Sequence, residues 1–143
     1  MRYWLMKSEP EVFGIDDLMS RPGQTEAWDG VRNYQARNMM RDEMRVGDSV
    51  FFYHSNCALP GIVGLARIAR EAYPDSTDPA SATAKPRWVV VDVQFVRKLA
   101  RTISLTELKT WPELADMPLV RRGNRLSIMP VTPGQWNFIL SLE

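Results

Sequence analysis

Between residues 88 and 97 the chain places Val89, Val91, Val93 and Phe95 at every second position. A strand turns that period into one apolar face and a helix does not, so a sheet must form the core. Residues 3–7, 49–55 and 61–69 read as further strands, from their β-branched and aromatic content between turn formers, and another is expected near 126–131. Helices are short by comparison. Ser104-Leu105-Thr106-Glu107 fits a capping box, and Thr132-Pro133-Gly134-Gln135 fits a second with proline at the first helical position. After the second box, Trp136, Ile139 and Leu140 fall at i, i+3 and i+4, which gives a terminal helix one face for the sheet. A third helix is expected over residues 33–44, with Ala36, Met39, Met40 and Met44 on one side and Arg37, Arg41 and Arg45 on another.

The stretch 74–86 carries three prolines among small polar residues, which predicts a mobile loop without periodicity or burial. Neither a repeat nor a composition break divides the chain, so residues 1–143 read as one α+β domain with this loop inserted between strands.

Charge and cysteine content narrow the functional classes. Eighteen Lys or Arg against seventeen Asp or Glu give +1, so the broad basic field of a protein that grips long duplexes through phosphates is absent. Any nucleic-acid contact must be local. Residues 97–125 hold seven basic against three acidic side chains, which reads either as a surface facing an anion or as a solvated rim of the sheet. Cys57 stands alone, which rules out an intrachain disulfide and a cysteine-rich zinc site and fits a packing residue. No apolar run approaches the ~20 residues of a bilayer span, and Lys7 interrupts the N-terminal apolar stretch too early for a signal peptide. A cytoplasmic protein without a membrane association, metal, cofactor or obligate protein partner is expected.

Signatures for dinucleotide, P-loop, nucleophile-elbow and zincin chemistry are missing from the sequence. What stands out instead is polar chemistry at strand ends. Tyr53-His54-Ser55-Asn56 follows the apolar Val50-Phe51-Phe52, and Lys7-Ser8-Glu9 follows Tyr3-Trp4-Leu5-Met6 before Pro10 stops the pairing. Between them lies Trp28-Asp29-Gly30-Val31-Arg32-Asn33-Tyr34. Trp28 reads two ways: as the wall of a slot for a planar base whose edge the neighbouring polar groups meet, or as a core anchor beside an Asn33 that only caps the next helix.

These stretches also carry a family resemblance. Residues 3–10, 28–38 and 51–55 resemble the EVE domain family, and the similarity continues through Gly61-Ile62-Val63-Gly64, Ala72-Tyr73-Pro74-Asp75, residues 88–93 and Arg125-Leu126-Ser127-Ile128-Met129-Pro130. It covers nearly the whole chain in order. Within the family the chain resembles the bacterial members and the thymocyte nuclear protein group. The resemblance implies a PUA-like fold, a bent mixed sheet or pseudo-barrel surrounded by short helices and distantly related to YTH domains. It implies a non-catalytic module that reads a modified base in DNA or RNA. The implied pocket is floored by Lys7, Ser8 and Glu9, walled by Trp28, edged by Val31, Arg32 and Asn33, and closed by Tyr53, His54 and Ser55. Tyr73, Pro74 and Asp75 form its lip, and Arg37, Arg41, Arg121, Arg122 and Arg125 are the candidates for phosphate contacts.

Two rival classes stay open at this stage. One is a hydrolase acting on a modified nucleoside, as in the related ASCH domains, with Lys7 and Glu9 as the reacting pair. The other is an adaptor whose aromatic slot takes a small ligand or a peptide side chain.

Overall fold

The structure, a computed structural model, describes residues 1–80 and 86–143. Six strands form one sheet: β1 (Tyr3–Ser8), β2 (Thr25–Ala27), β3 (Ser49–His54), β4 (Gly61–Pro74), β5 (Val89–Ser104) and β6 (Ile128–Val131). Their spatial order is β2-β5-β4-β3-β1-β6. β1 and β3 run parallel, and every other neighbouring pair is antiparallel. The helices are α1 (Pro10–Phe13), α2 (Ile15–Ser20), α3 (Tyr34–Asp42), α4 (Leu105–Leu108) and α5 (Pro133–Leu140), with 3-10 turns at Pro22–Gln24, Pro112–Leu114 and Pro118–Val120.

Alternation along the strands builds two cores, one on each face of the sheet. Trp4, Met6, Val50, Phe52, Val89, Val91 and Val93 pack on one face with α2 and α3, while Leu5, Phe51, Tyr53, Ile62 and Met129 pack on the other with α4 and α5. Phe51 stacks on Trp136 of α5 at 3.8 Å between ring centroids, which docks that helix where the i, i+3, i+4 pattern expects it. At the far end of the parallel pair, buried Asp48 accepts from Trp4 Nε1 at 3.0 Å and from the amides of Arg2 and Arg45.

The predicted elements are present with shifted ends. β4 and β5 run well past the expected 61–69 and 88–97 because they pair as a long hairpin: the added residues of β4 are largely exposed, and those of β5 bury only Leu99 and Ile103 among exposed and half-buried neighbours. Helix α3 stops at Asp42, short of the expected residue 44, with Asn33 as its N-cap accepting from Ala36 N. Thr132 and Gln135 complete a reciprocal capping box. Ser104 accepts from Glu107 N, but the Glu107 carboxylate turns to Arg101 instead of reaching back, so only half of that box forms. β2, α1 and α2 were not expected from the sequence.

Residues 81–85 of the expected mobile loop lie outside the described residues. Its first part departs from the prediction. Asp75 is fully buried and its Oδ1 accepts from Thr77 N and Oγ1, so this end of the segment is hydrogen-bonded structure. Among the described residues no helix is long and apolar enough to cross a membrane.

Candidate nucleic-acid interface

Because β1 and β3 are parallel neighbours, their polar ends arrive together, with Lys7 opposite Tyr53 and Ser8 opposite His54. Pairing continues one residue further through Ser55 N to Ser8 O at 3.0 Å, and on the other side Lys7 N donates to Ser127 O at 2.8 Å. Pro10 then starts α1. Ser8 Oγ donates to Phe13 O at 2.6 Å, which folds the helix back over the strand end.

Trp28 reaches the same place from β2. Its N–H extends the β2–β5 pairing to Val91 O at 2.8 Å, and the indole meets Phe52 edge-on at 5.4 Å and Phe13 at 6.4 Å. The result is a cavity of about 400 Å³ bounded on one side by Lys7, Ser8, Glu9, Val12 and Phe13 and on the other by Arg21, Glu26, Ala27, Trp28 and Asp29. That volume falls within the range of small-ligand sites. Its charges are mixed. Arg21 Nε pairs with Glu26 Oε2 at 2.6 Å while its guanidinium covers Phe13, and Glu9 Oε1 accepts from Asn56 Nδ2 at 3.0 Å. Lys7 is half-buried 5.7 Å from the Tyr53 ring centroid, and burial pushes its ammonium below the ordinary lysine pKa. The site thus offers an aromatic wall and carboxylate acceptors within one concavity, with Lys7 at its edge and its ammonium toward Tyr53.

The cavity unites Lys7, Ser8, Glu9 and Trp28 of the residues singled out from the sequence, and leaves the others around or away from it. Trp28 is only 8% exposed, so both readings hold at once: it belongs to a core and it lines the cavity. Val31 is buried in that same core and Asn33 caps α3. Tyr53 lies on the opposite face of the sheet, where burial foremost, with Cys57 nearby, pushes its hydroxyl up to about 12. His54 is on the Trp28 side, but its Nε2 accepts from Ile15 N at 3.1 Å, so α2 occupies the edge it would show a ligand. Ser55 is engaged through its backbone.

Tyr73 and Pro74 line a separate cavity of about 420 Å³ with Arg41, Glu71, Ala72, Pro86 and Val89. Tyr73 donates to Asp92 Oδ1 at 2.5 Å, and burial, then that carboxylate, pushes the phenol up to about 12. Asp75 binds Arg32 and the amide of Gly30, and therefore holds the turn that follows Trp28.

Among the phosphate candidates, Arg37 donates to Arg87 O and Arg41 pairs with Asp42. Arg121, Arg122 and Arg125 are exposed on the segment before β6, whose Ser127 is bonded to Lys7 at the cavity end of β1. Two basic side chains of the 97–125 stretch are held in ion pairs. Arg97 makes a two-pronged pair with Glu143 and Arg101 does the same with Glu107, and Arg97 foremost, then Ala100 N, lowers the Glu143 carboxyl to about 2.

Sequence reasoning missed Val12, Phe13, Arg21, Glu26, Ala27 and Asp29 as lining residues. Only the opposed charges of Arg21 and Glu26 around Pro22-Gly23 hinted that this turn closes on itself.

A six-stranded mixed sheet with short helices on both faces, and a cavity at the end of its parallel pair, is a PUA-like α+β fold. The chain belongs to the EVE domain family, whose match extends over residues 2–142. Mouse thymocyte nuclear protein 1 is 50% identical over 99% of this chain and 73% of its own length. A crystal structure of a Pseudomonas syringae protein is 50% identical, covers 98% of both chains and superposes with a TM-score of 0.89. The human THYN1 protein, solved in complex with DNA containing 5-methylcytosine, is 48% identical over 99% of this chain and 97% of that one, with a TM-score of 0.92.

Proposed function

We propose that residues 1–143 act as one EVE unit that binds nucleic acid without catalysis and takes a single modified base, displaced from its stack, into the cavity between the end of β1 and Trp28. The observation that carries this reading is the convergence of Trp28 with Lys7, Ser8 and Glu9 around a space of about 400 Å³, in a chain 48% identical to a protein bound to 5-methylcytosine DNA. A base is flat, apolar on its faces and polar at its edge, and the lining answers each property. Trp28 and Phe13 meet the ring, Glu9 and Glu26 accept from an exocyclic amine, Lys7 donates to a ring or carbonyl acceptor, and Ser8 Oγ, its own proton given to Phe13 O, accepts. The acidic acceptors favour a base that bears an amine, such as cytosine. Backbone phosphates then pass along Arg121, Arg122 and Arg125 on one side of the strand end and toward Arg37 and Arg41 on the other, so binding weakens with salt while net charge stays at +1. The free Cys57 thiol is in keeping with a cytoplasmic location.

The test is a titration of matched DNA and RNA oligonucleotides with and without one 5-methylcytosine. An apolar slot distinguishes one methyl group by about 1–3 kcal/mol, so a preference of roughly tenfold is expected and should fall in Trp28→Phe. Equal affinity for modified and unmodified strands rejects the reading. Hydrolysis of a modified nucleoside has one observation in its favour, the half-buried Lys7 beside Glu9, and mass spectrometry of the incubated nucleoside decides it.

A further inference from the structure

Outside the cavity, one group of side chains has no part in either core. Tyr34, the first residue of α3, stacks on Trp88 at 4.9 Å with 28° between the ring planes. The Arg37 guanidinium lies 4.8 Å from the Tyr34 centroid, and that of Arg32 lies 5.3 Å from the Trp88 centroid. Tyr34 nevertheless keeps 54% of its surface exposed. An aromatic pair that served packing would be covered. This one sits at the surface between two cations; Arg32 is held by Asp75, so the exposed Tyr34 ring and the Arg37 guanidinium are what match a strand of nucleic acid, an aromatic face for a base and a cation for a phosphate.

Its position relative to the cavity fits the same strand. Trp28 N is bonded to Val91 O, and Trp88 lies three residues before Val91, about 10 Å along an extended chain. Adjacent nucleotides of one extended strand cover such a span. The turn from Trp28 to Asn33 joins the two places directly, and Asp75 fixes it through Gly30 N and Arg32.

We propose that Tyr34, backed by Trp88, forms a stacking platform for an unpaired base that flanks the one in the Trp28 cavity, with Arg37 moving from that ring to the adjoining phosphate. The location of the flanking nucleotide rests on the cavity reading, whereas the platform's contribution to affinity does not. Stacking of this kind tolerates any base, because every base has a π-face, so the platform adds affinity without sequence preference.

The experiment titrates an oligothymidylate, and the same strand with one thymine replaced by 5-methylcytosine, against wild-type protein, Tyr34→Ala, Tyr34→Phe and Trp28→Phe. Tyr34→Ala should weaken both strands by about tenfold or more and leave the ratio between them unchanged, and Tyr34→Phe should restore both. Trp28→Phe should reduce the ratio alone. Tyr34→Ala that binds both strands as tightly as wild type overturns the platform, whether or not the modified base is preferred. Tyr34→Ala that removes the preference itself also overturns it, because the residue then acts on the cavity. A wild-type ratio of one with weakened binding in Tyr34→Ala sustains the platform and rejects the cavity reading.

Discussion

Asp75 Oδ2 lies 3.0 Å from Arg32 Nη1, and the same oxygen accepts from Gly30 N at 3.1 Å. One buried carboxylate at the end of β4 thereby clamps the turn that leaves Trp28, where Gly30 takes a φ of 76° that other residues resist. Burial alone would raise its pKa. Hydrogen bonds from Thr77, Arg32 and the amides of Thr77 and Gly30 together outweigh burial and hold it below the ordinary carboxylate value.

Asp75→Asn should therefore cost about 2 kcal/mol at neutral pH, since it removes charge-assisted bonds from a buried site. A carboxylate with a depressed folded-state pKa contributes stability that is whole above the unfolded value of about 3.9 and is lost as pH falls toward the folded one. The gap between wild type and Asp75→Asn in urea melts should accordingly be widest near pH 7 and narrow below pH 4.

His54 gives a second pH dependence. Its Nε2 accepts from Ile15 N, which requires the neutral Nδ1–H tautomer, and burial lowers its pKa despite the carboxylates of Asp16 and Asp17. A depressed histidine pKa means that its contribution is whole above about 6.5 and declines as pH falls through that value toward the folded pKa. His54→Ala should cost about 1–3 kcal/mol at pH 7.5 by stranding the Ile15 amide, and should flatten the stability loss between pH 7 and 5. Denaturant midpoints across that range measure both.

Gly61 is required for close approach. A Cβ there would stand 2.5 Å from Ile103 O and 2.8 Å from Ser104 Cα, both backbone atoms of β5 and unable to yield without moving the strand. Gly61→Ala should destabilise by about 1–3 kcal/mol or more, read as a lowered melting midpoint with little change in base preference.

Trp28 belongs to a core and to the cavity, so its variants should show both losses. Trp28→Ala should cost on the order of 3–5 kcal/mol of stability, as large aromatic truncations do, and abolish the base preference. Trp28→Phe keeps a ring against Phe52 and should retain most stability while the preference falls. Melts and titrations on the same samples separate the two effects.

The apolar period of two from Val89 to Phe95 and the box at Thr132 were readable because each is a local pattern that the fold obeys. β2 was not, since three half-buried residues with Glu26 in the middle carry no period, and α1 is a single turn. The cavity floor was readable in part, because Lys7, Ser8 and Glu9 mark a strand end in sequence. The placement of Tyr53 was not, since it depends on parity: Phe52 and Tyr53 point to opposite faces, and only Phe52 shares the Trp28 side. Asp75 looked like a loop residue because its partners, Gly30 and Arg32, are distant in the chain.

The seat of the base is decided by a crystal structure of the protein with a single-stranded DNA carrying one 5-methylcytosine. The methylated ring should lie against Trp28, with its edge within hydrogen-bond distance of Ser8 or Lys7 and its amine toward Glu9 or Glu26. A base seated in the cavity beside Tyr73 and Pro74, or left stacked in its strand with the Trp28 cavity filled by water, would contradict it.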